Sequence, residues 1–589
     1  MSLYILGISC YYHDASAALL KEGVVVAAAE EERFTRKKHD SSFPVNAIRY
    51  CLENQNITIK DITHIGYYEK PLLKFERILS QHIEMFPLSY KTFLSSLPSW
   101  INEKLRPVKT IKQKLKYKGD IFFIEHHLSH AASSFLLSPF EKSAILTVDG
   151  VGEWTTTAFG IGEGNDIHLM KEIRFPNSLG LLYSAITAYL GFSVNNSEYK
   201  VMGLAAYGKM DRESNEYYKR LKKVIDIKDD GSYRLDMSYF IFHYADRMPS
   251  QKLCTLLGGP VSRRDSEMTQ RHRDIAAAVQ LITEEVMTRM LIYVQKVTKC
   301  DNLVLAGGVA LNSVYNGKIS IDTPFKEVWI QPNSSDGGTS IGVASFVYHS
   351  ILGYKRTYQL KSAYLGPEFS TATIRKFLQD NNIKYKEFKN DQELKETTAK
   401  LIFENNVVGW FQGRMEWGPR ALGTRSILAN PSNPKAKELL NEKVKHREKF
   451  RPFAPVVCED DVATYFECNN QNLKPTDFML MVFPVKKEWH NKIPSVVHVD
   501  GSGRLQTIKK SQNQLYYELI KEFGKLSGIP ILINTSFNIR GEPIVCTPHD
   551  AYKCMMGTGI DCLVMDRFII IREDNPKDIW DSERYAYDD

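Results

Sequence analysis

Three short apolar runs open the chain, Tyr4–Ser9, Ala15–Leu20 and Val24–Ala29, separated by His13-Asp14 and by Lys21-Glu22-Gly23. Apolar runs of this length bounded by turn residues predict strands, and their close spacing predicts a meander. The same order returns later. Ala144–Val148 is apolar, Asp149-Gly150-Val151-Gly152 is a turn, Thr155–Ile161 is a second run, Glu163-Gly164-Asn165 turns again, and Ile167–Leu169 follows. A strand-turn-strand-turn-strand unit that occurs twice, each time followed by helical segments, predicts a duplicated α/β fold. The actin/Hsp70/sugar-kinase architecture has this order, with nucleotide phosphates held between its two halves.

Farther on, Arg273–Lys299 carries apolar residues at helical spacing, and Asn302–Ala306 reads as a strand entering the turn Gly307-Gly308-Val309-Ala310. A strand at Glu327–Gln331 leads to Asn333-Ser334-Ser335-Asp336-Gly337-Gly338 and a helix from about Thr339 to Tyr348. Two strand-glycine-helix units suit a nucleotide site, because the N–H groups at a helix N-terminus face an anion. Mixed polar sequence from Tyr354 to Thr371, with Gly366-Pro367, predicts a boundary between domains 1–360 and 361–589. The second domain reads as mixed α and β, with strands near Val407–Phe411 and Ile529–Ile533.

A chain of 589 residues is too long for one core. With 43% hydrophobic and 25% charged residues it has an ordinary globular composition. No apolar run approaches the roughly 20 residues that cross a bilayer. Met1–Gly7 lacks the features of a signal peptide. A cytoplasmic protein without a membrane partner is expected. Nine scattered cysteines without a CxxC pair read as reduced core residues. The net charge of +7 suggests anionic ligands without demanding nucleic acid, which is not expected as a partner. The basic run Lys104–Lys118 fits either a solvated helix face or a phosphate contact.

Candidate chemistry gathers at a few places. His126 and His130 stand one helical turn apart, so both imidazoles can face one ion. Asp149 ends the strand that begins the second meander, and Asp336 sits in a glycine turn before a helix, so both carboxylates could join them. Ordinary helix histidines with two capping aspartates would explain the same residues. His13 lies in the first turn, where an imidazole with an ordinary pKa of about 6.5 could take a proton from an acceptor hydroxyl, or could be a plain turn residue. Lys200 lies in Glu198–Gly208, where nucleotide contact and a helix N-terminus are both compatible with the sequence. The densest cationic signal runs through Arg414, Arg420 and Arg425 and then Lys443, Lys445, His446, Arg447, Lys449 and Arg451. Arginine forks among glycines and prolines suit a phosphate or acyl-phosphate site. Asn534-Thr535-Ser536-Phe537-Asn538 adds polar groups at the end of the strand Ile529–Ile533.

Taken in order, Gly7–Phe34, His126–His130, Glu198–Gly208, Gly307–Asn312, Gly413–Ser426, Lys445–Pro455 and Asn534–Glu542 resemble the NodU/CmcH carbamoyltransferases. The likeness runs over nearly the whole chain. It implies an N-terminal domain similar to the tRNA-threonylcarbamoyladenosine transferase and a C-terminal domain similar to the YrdC carbamoyladenylate synthase. It further implies that carbamoyl phosphate and ATP with Mg2+ form carbamoyladenylate in the C-terminal domain. The N-terminal domain would then pass the carbamoyl group to a hydroxyl or amine of a small-molecule acceptor. By this resemblance Arg420, Lys445, Arg447, Arg451, Arg504, Asn534 and Ser536 line the first site, and Lys200, Gly307, Gly308 and Asn312 contact nucleotide. His126, His130, Asp149 and Asp336 would hold Fe2+ or another divalent transition metal, and His13 would be the base. Competing readings are a tRNA-modifying threonylcarbamoyl-type transferase and a metabolite kinase. The acceptor is not legible, and a homodimer remains open.

Overall fold

The computed structural model describes residues 2–264, 266–468 and 474–576. The chain forms two compact units. One holds residues 40–360 with the chain before Glu32, and the other holds Glu32–His39 with the chain from Lys361 onward.

In the first unit β1 (Tyr4–Ser9), β2 (Ser16–Lys21) and β3 (Val24–Glu30) form the expected meander, and β4 (His64–Tyr67) and β5 (Asp120–Phe123) complete the sheet. Its order is β3-β2-β1-β4-β5. β1 pairs antiparallel with β2 and parallel with β4, and β4 pairs parallel with β5. The second sheet takes β6 (Lys142–Val148), β7 (Thr155–Glu163) and β8 (Asp166–Arg174). The chain then makes a two-stranded ribbon, β9 (Ile225–Ile227) and β10 (Tyr233–Leu235), before β11 (Asn302–Ala306) and β12 (Glu327–Ile330) return to that sheet. The order is β8-β7-β6-β11-β12, again with two antiparallel pairings followed by two parallel ones. The two sheets repeat one topology strand for strand, so the duplicated actin/Hsp70/sugar-kinase arrangement is present.

Equivalent strands feed equivalent helices. β5 leads into the helix His126–Phe135, and β12 leads through Asp336–Gly338 into the helix Thr339–Phe346. These helices pack closely because glycines remove the intervening side chains. A Cβ on Gly342 would lie 2.1 Å from the carbonyl oxygen of Ser129, and one on Gly7 would lie 1.8 Å from that of Ser340. Hydroxyls of β1 and β2 then hold the turn before the second helix. Ser9 Oγ donates to the Asp336 carbonyl at 3.1 Å, and Ser16 Oγ to that of Gly337 at 2.7 Å. The long helix Gln270–Thr298 corresponds to the expected Arg273–Lys299. The nine cysteines are free, and all but Cys468 are buried.

The second unit is α/β, built on one mixed nine-stranded sheet. Its strands are β13 (Lys386–Glu387), β14 (Val408–Phe411), β15 (Arg425–Ala429), β16 (Ala454–Cys458), β17 (Met481–Pro484), β18 (Ser502–Ile508), β19 (Ile531–Ser536), β20 (Cys562–Met565) and β21 (Phe568–Ile571). They are ordered β13-β21-β20-β14-β15-β19-β16-β18-β17. The helices Asp391–Phe403 and Gln514–Ser527 bury Leu394, Ile402, Leu519 and Phe523 against Trp410, Val456 and Leu532. β19 starts later than expected, since Pro530 has no N–H for a ladder. Asn534, Thr535 and Ser536 therefore lie within a paired strand, with Asn534 opposite both Leu428 and Ala454. Glu32–His39, which the sequence assigns to domain 1–360, packs with this unit. Arg33 Nη2 donates to the Gly418 carbonyl at 2.9 Å, and Arg36 to those of Ile544 and Pro543 at 2.7 and 2.8 Å. Among the described residues no helix is long and apolar enough to cross a membrane.

Candidate functional site

The duplication brings the N-terminal ends of two equivalent helices together, and the four expected ligands meet there. One ligand atom from each of His126, His130, Asp149 and Asp336 lies within 4.8 Å of the others. All four residues are buried. His126 Nε2 stands 3.1 Å from His130 Nε2 and 3.2 Å from Asp149 Oδ2. Asp336 Oδ1 lies 3.6 Å from His126 Nε2 and 3.5 Å from His130 Nε2. Asp336 Oδ2 is buried without a hydrogen-bond partner. Burial opposes charge on His126, yet Asp336 and Asp149 hold it up to about 9. Asp149 is held well below the usual carboxylate range by His126 and His130, against the opposing effect of burial. The alternative of a capping aspartate applies in part: Asp149 Oδ1 accepts the Gly308 N–H at 2.8 Å, which leaves Oδ2 for the histidines. His127 turns away, with Nδ1 2.8 Å from Thr147 Oγ1.

One supporting residue escaped the sequence. Both carboxylate oxygens of Glu153 accept the His126 N–H, each at 3.1 Å, and so fix the start of the helix that carries the histidines. A side chain that caps a helix 27 residues upstream has no periodic signal.

His13 is engaged at both ring nitrogens. Nδ1 lies 2.7 Å from Asp14 Oδ2, and Nε2 donates to the Asn195 carbonyl at 2.5 Å. Burial would depress the imidazole, but the Asp14 carboxylate holds it up to about 10. Asn195 is in turn fixed by its N–H bond to Glu198 Oε1 at 2.9 Å, and the same oxygen accepts from Ser184 at 2.6 Å. Lys200 is buried in the following helix, 5.6 Å from the Phe192 ring centroid. Gly307 has φ 91°, and a Cβ there would lie 2.2 Å from the Val148 carbonyl oxygen. Asn312 exchanges hydrogen bonds with Gln280 at 3.0 and 3.2 Å and accepts from Tyr315 N, so its amide serves the fold.

In the second unit the expected cations divide by environment. Lys445 is buried and donates to the carbonyl and hydroxyl oxygens of Ser536 and to Asn538 Oδ1, the last at 2.8 Å. Arg447 Nε donates to Asn441 Oδ1 at 2.7 Å, and its guanidinium stacks 4.7 Å from the Phe453 centroid. Arg451 and Arg540 share Glu448, at 3.5 and 3.8 Å. Asn534 donates to the Ala421 carbonyl at 3.0 Å and to Gln506 Oε1, and its own Oδ1 is buried without a partner. Arg504 lies two residues before Gln506 on β18, hence on the same face. Arg420 sits half-exposed in the loop between β14 and β15. Arg425 is different. It is fully buried, bonds the carbonyls of Gln412, Thr424, Pro367 and Gly413, and stacks on Phe411, so it braces that loop.

Known proteins share this chain's sequence along almost its full length. An uncharacterised protein of Synechocystis sp. is 43% identical, over 98% of this chain and 97% of its own. The nodulation protein NolNO of Sinorhizobium fredii is 35% identical, over 97% of this chain and 80% of its own. Among solved structures, T. kodakarensis HypF is 13% identical with a TM-score of 0.32, over 60% of this chain and 48% of its own. The family model described as the carbamoyltransferase N-terminus matches residues 4–345, and that of the carbamoyltransferase C-terminus matches residues 399–572. With both models matched in sequence order, the chain belongs to the carbamoyltransferase family and is an enzyme of carbamoyl transfer.

Proposed function

We propose that the C-terminal unit makes carbamoyladenylate from carbamoyl phosphate and ATP. We further propose that the N-terminal unit transfers the carbamoyl group to a hydroxyl or amine of a small-molecule acceptor. The observation that carries this reading is the cage of His126, His130, Asp149 and Asp336, whose ligand atoms fall within 4.8 Å of one another. The residues fit a divalent cation. A buried carboxylate oxygen without a partner, such as Asp336 Oδ2, is costly unless a cation or donor meets it. Two imidazole nitrogens and two carboxylates suit iron or zinc. Bound there, such an ion would supply Lewis acidity toward a carbamoyl or phosphate oxygen.

The chain's own groups perform the remaining tasks. In the C-terminal unit Lys445, Arg447, Arg451 and Arg504, with Arg420, would neutralise the polyphosphate, and Asn534 Oδ1 would receive a donor from the substrate. Atoms balance when water cleaves carbamoyl phosphate to carbamate and phosphate. The carbamate oxygen then attacks the α-phosphorus of ATP and expels pyrophosphate. In the N-terminal unit the acceptor oxygen bonds to the carbamoyl carbon, the bond to the adenylate phosphate breaks, AMP leaves, and the acceptor proton passes to the His13 ring once that ring has given up a proton of its own. Lys200 and the turn Gly307-Gly308 lie in the same unit, where they would support the nucleotide. Release of pyrophosphate from ATP and Mg2+ that depends on carbamoyl phosphate, together with carbamoylated product found by mass spectrometry across candidate acceptors, tests the reading. Pyrophosphate release indifferent to carbamoyl phosphate would refute it.

A further inference from the structure

The helical segment between β4 and β5 brings cations together that the reaction described above does not use. Arg77, in the helix Pro71–Glu84, is 6% exposed. Among the described residues its guanidinium makes no ion pair within 4.0 Å. Its hydrogen bonding is one 3.5 Å contact from Nη1 to Gln81 Oε1, and Nε has no partner. The Phe175 ring lies beneath it at 4.8 Å. A stacked ring offsets only part of what burying an unpaired charge costs. Burial pulls Arg77 down to about 10, opposed by Tyr12, Glu69 and Glu153, so it remains a cation at neutral pH.

The nearby carboxylates are already taken. Glu153 accepts from His126 N and Lys70 N, and Glu69 is paired with buried Lys74 at 2.5 Å. A second cation comes from the basic run that the sequence picks out. Lys104 also makes no ion pair among the described residues, packs 5.2 Å from the Trp100 centroid, and is depressed by burial and then by Lys74. Glu69 thus pairs with Lys74 and also acts on Arg77 and Lys104, with Glu153 acting on Arg77 and Glu103 on Lys104. Tyr12 links this cluster to the cage. Tyr12 is 37% exposed, and Lys74 Nζ lies 4.5 Å from its ring centroid. Crowding around its hydroxyl, then Asp336 and Asp149, push its pKa up, whereas Arg77 pulls it down. The Lys70 and His126 N–H groups both meet Glu153 Oε1, so the helix Pro71–Glu84 starts beside the helix that carries the cage histidines.

We propose that Arg77, assisted by Lys104, is an oxyanion-binding site beside the transfer centre, receiving a phosphate- or carboxylate-type group of a bound substrate. A guanidinium fork with four of its five N–H groups unused has the geometry for bidentate contact with such a group. The existence of the site stands apart from the carbamoyladenylate reading, but the source of its oxyanion rests on that reading.

Calorimetric titration of the full chain with inorganic phosphate, and separately with AMP, tests the proposal in wild type, Arg77→Met and Lys104→Met. Loss of one charge-assisted contact should weaken the phosphate isotherm assigned to this site about ten- to a hundredfold in Arg77→Met. Pyrophosphate release dependent on carbamoyl phosphate should stay at the wild-type level, which separates this site from the cations of the C-terminal unit. Parallel weakening of AMP assigns the oxyanion to the donor's phosphate. AMP binding retained while phosphate is lost assigns it to an acidic group on the acceptor. Phosphate affinity unchanged in Arg77→Met overturns the proposal. Should that variant not fold, unchanged affinity in Lys104→Met, whose side chain is half-exposed, overturns it instead.

Discussion

At the residue scale, His13 is held on both ring nitrogens, so it would have to lose a proton before acting as the proposed base. Its folded pKa of about 10 lies above the ordinary 6.5, with the Asp14 carboxylate as the raising cause. The stabilisation from this pair is fully present below about pH 6.5 and is lost as pH rises through 10. Only the neutral ring accepts a proton. Carbamoyl transfer in the wild type should therefore climb roughly tenfold per pH unit toward a plateau near 10. Asp14→Asn removes the raising carboxylate and should move that plateau to lower pH, with pyrophosphate release measured in parallel as the control. Superimposable transfer profiles for the two proteins would remove His13 as the base. His13→Asn should retain pyrophosphate release and lose transfer by about 10² to 10⁴. The cage makes a separate prediction. Wild-type protein purified without chelator should carry a stoichiometric transition metal by elemental analysis, and His130→Ala should carry none. Because a metal held by the cage would bind only the folded protein, chelation should also lower the unfolding temperature of the wild type and leave that of His130→Ala unchanged.

At the element scale, the cage depends on two helices approaching closely. Gly342 leaves no room for a Cβ, which would meet the Ser129 carbonyl oxygen at 2.1 Å, so Gly342→Ala must push Thr339–Phe346 away from His126–Phe135. Overpacking of this kind costs about 1 to 3 kcal/mol. Since His126 and His130 ride on one helix and Asp336 precedes the other, metal retention should fall while far-UV circular dichroism stays native. Full metal content at a lowered melting temperature would detach the helix contact from the site. These elements differ in how far the sequence reveals them. β1, β2 and β3, and again β6 and β7, are apolar runs broken by short turns, and they lie where the pattern puts them. β4 and β5 are four residues each, and the intervening helices Pro71–Glu84 and Tyr90–Ser99 hide their pairing. The four cage residues are visible as residue types and spacing, but the meeting of Asp149 with His126 needs the helix His126–Phe135 to pack on β6. Glu153 and Gly342 act only through tertiary contact, and Arg425 reads as one more cation until its burial among carbonyls is seen.

At the scale of the whole molecule, the proposed chemistry falls into two compact units, each with its own core, and this makes the two half-reactions separable by mutation. Arg451, only 12% exposed at its side chain and 3.5 Å from Glu448, belongs to the cation group of the second unit together with Lys445 and Arg447. His126 and His130 belong to the first unit, as do Glu153 and Asp149, whose carboxylates meet the His126 N–H and ring. Removing a half-buried guanidinium from a phosphate should cost about 2 to 5 kcal/mol, by analogy with truncated charge pairs at desolvated interfaces. Arg451→Ala is thus expected to lose pyrophosphate release dependent on carbamoyl phosphate by at least about thirtyfold. Its metal content should equal that of the wild type. His130→Ala is expected to behave the opposite way, losing metal and transfer while releasing pyrophosphate at close to the wild-type rate. A mixture of the two variants supplies both intact units on different chains. If carbamoyladenylate passes through solution, the mixture should recover transfer in proportion to the concentration of both proteins. If it passes only within one chain, both single activities should persist in the mixture without product. Loss of metal in Arg451→Ala, or loss of pyrophosphate release in His130→Ala, in protein with native circular dichroism, would contradict the assignment of the two half-reactions to separate units.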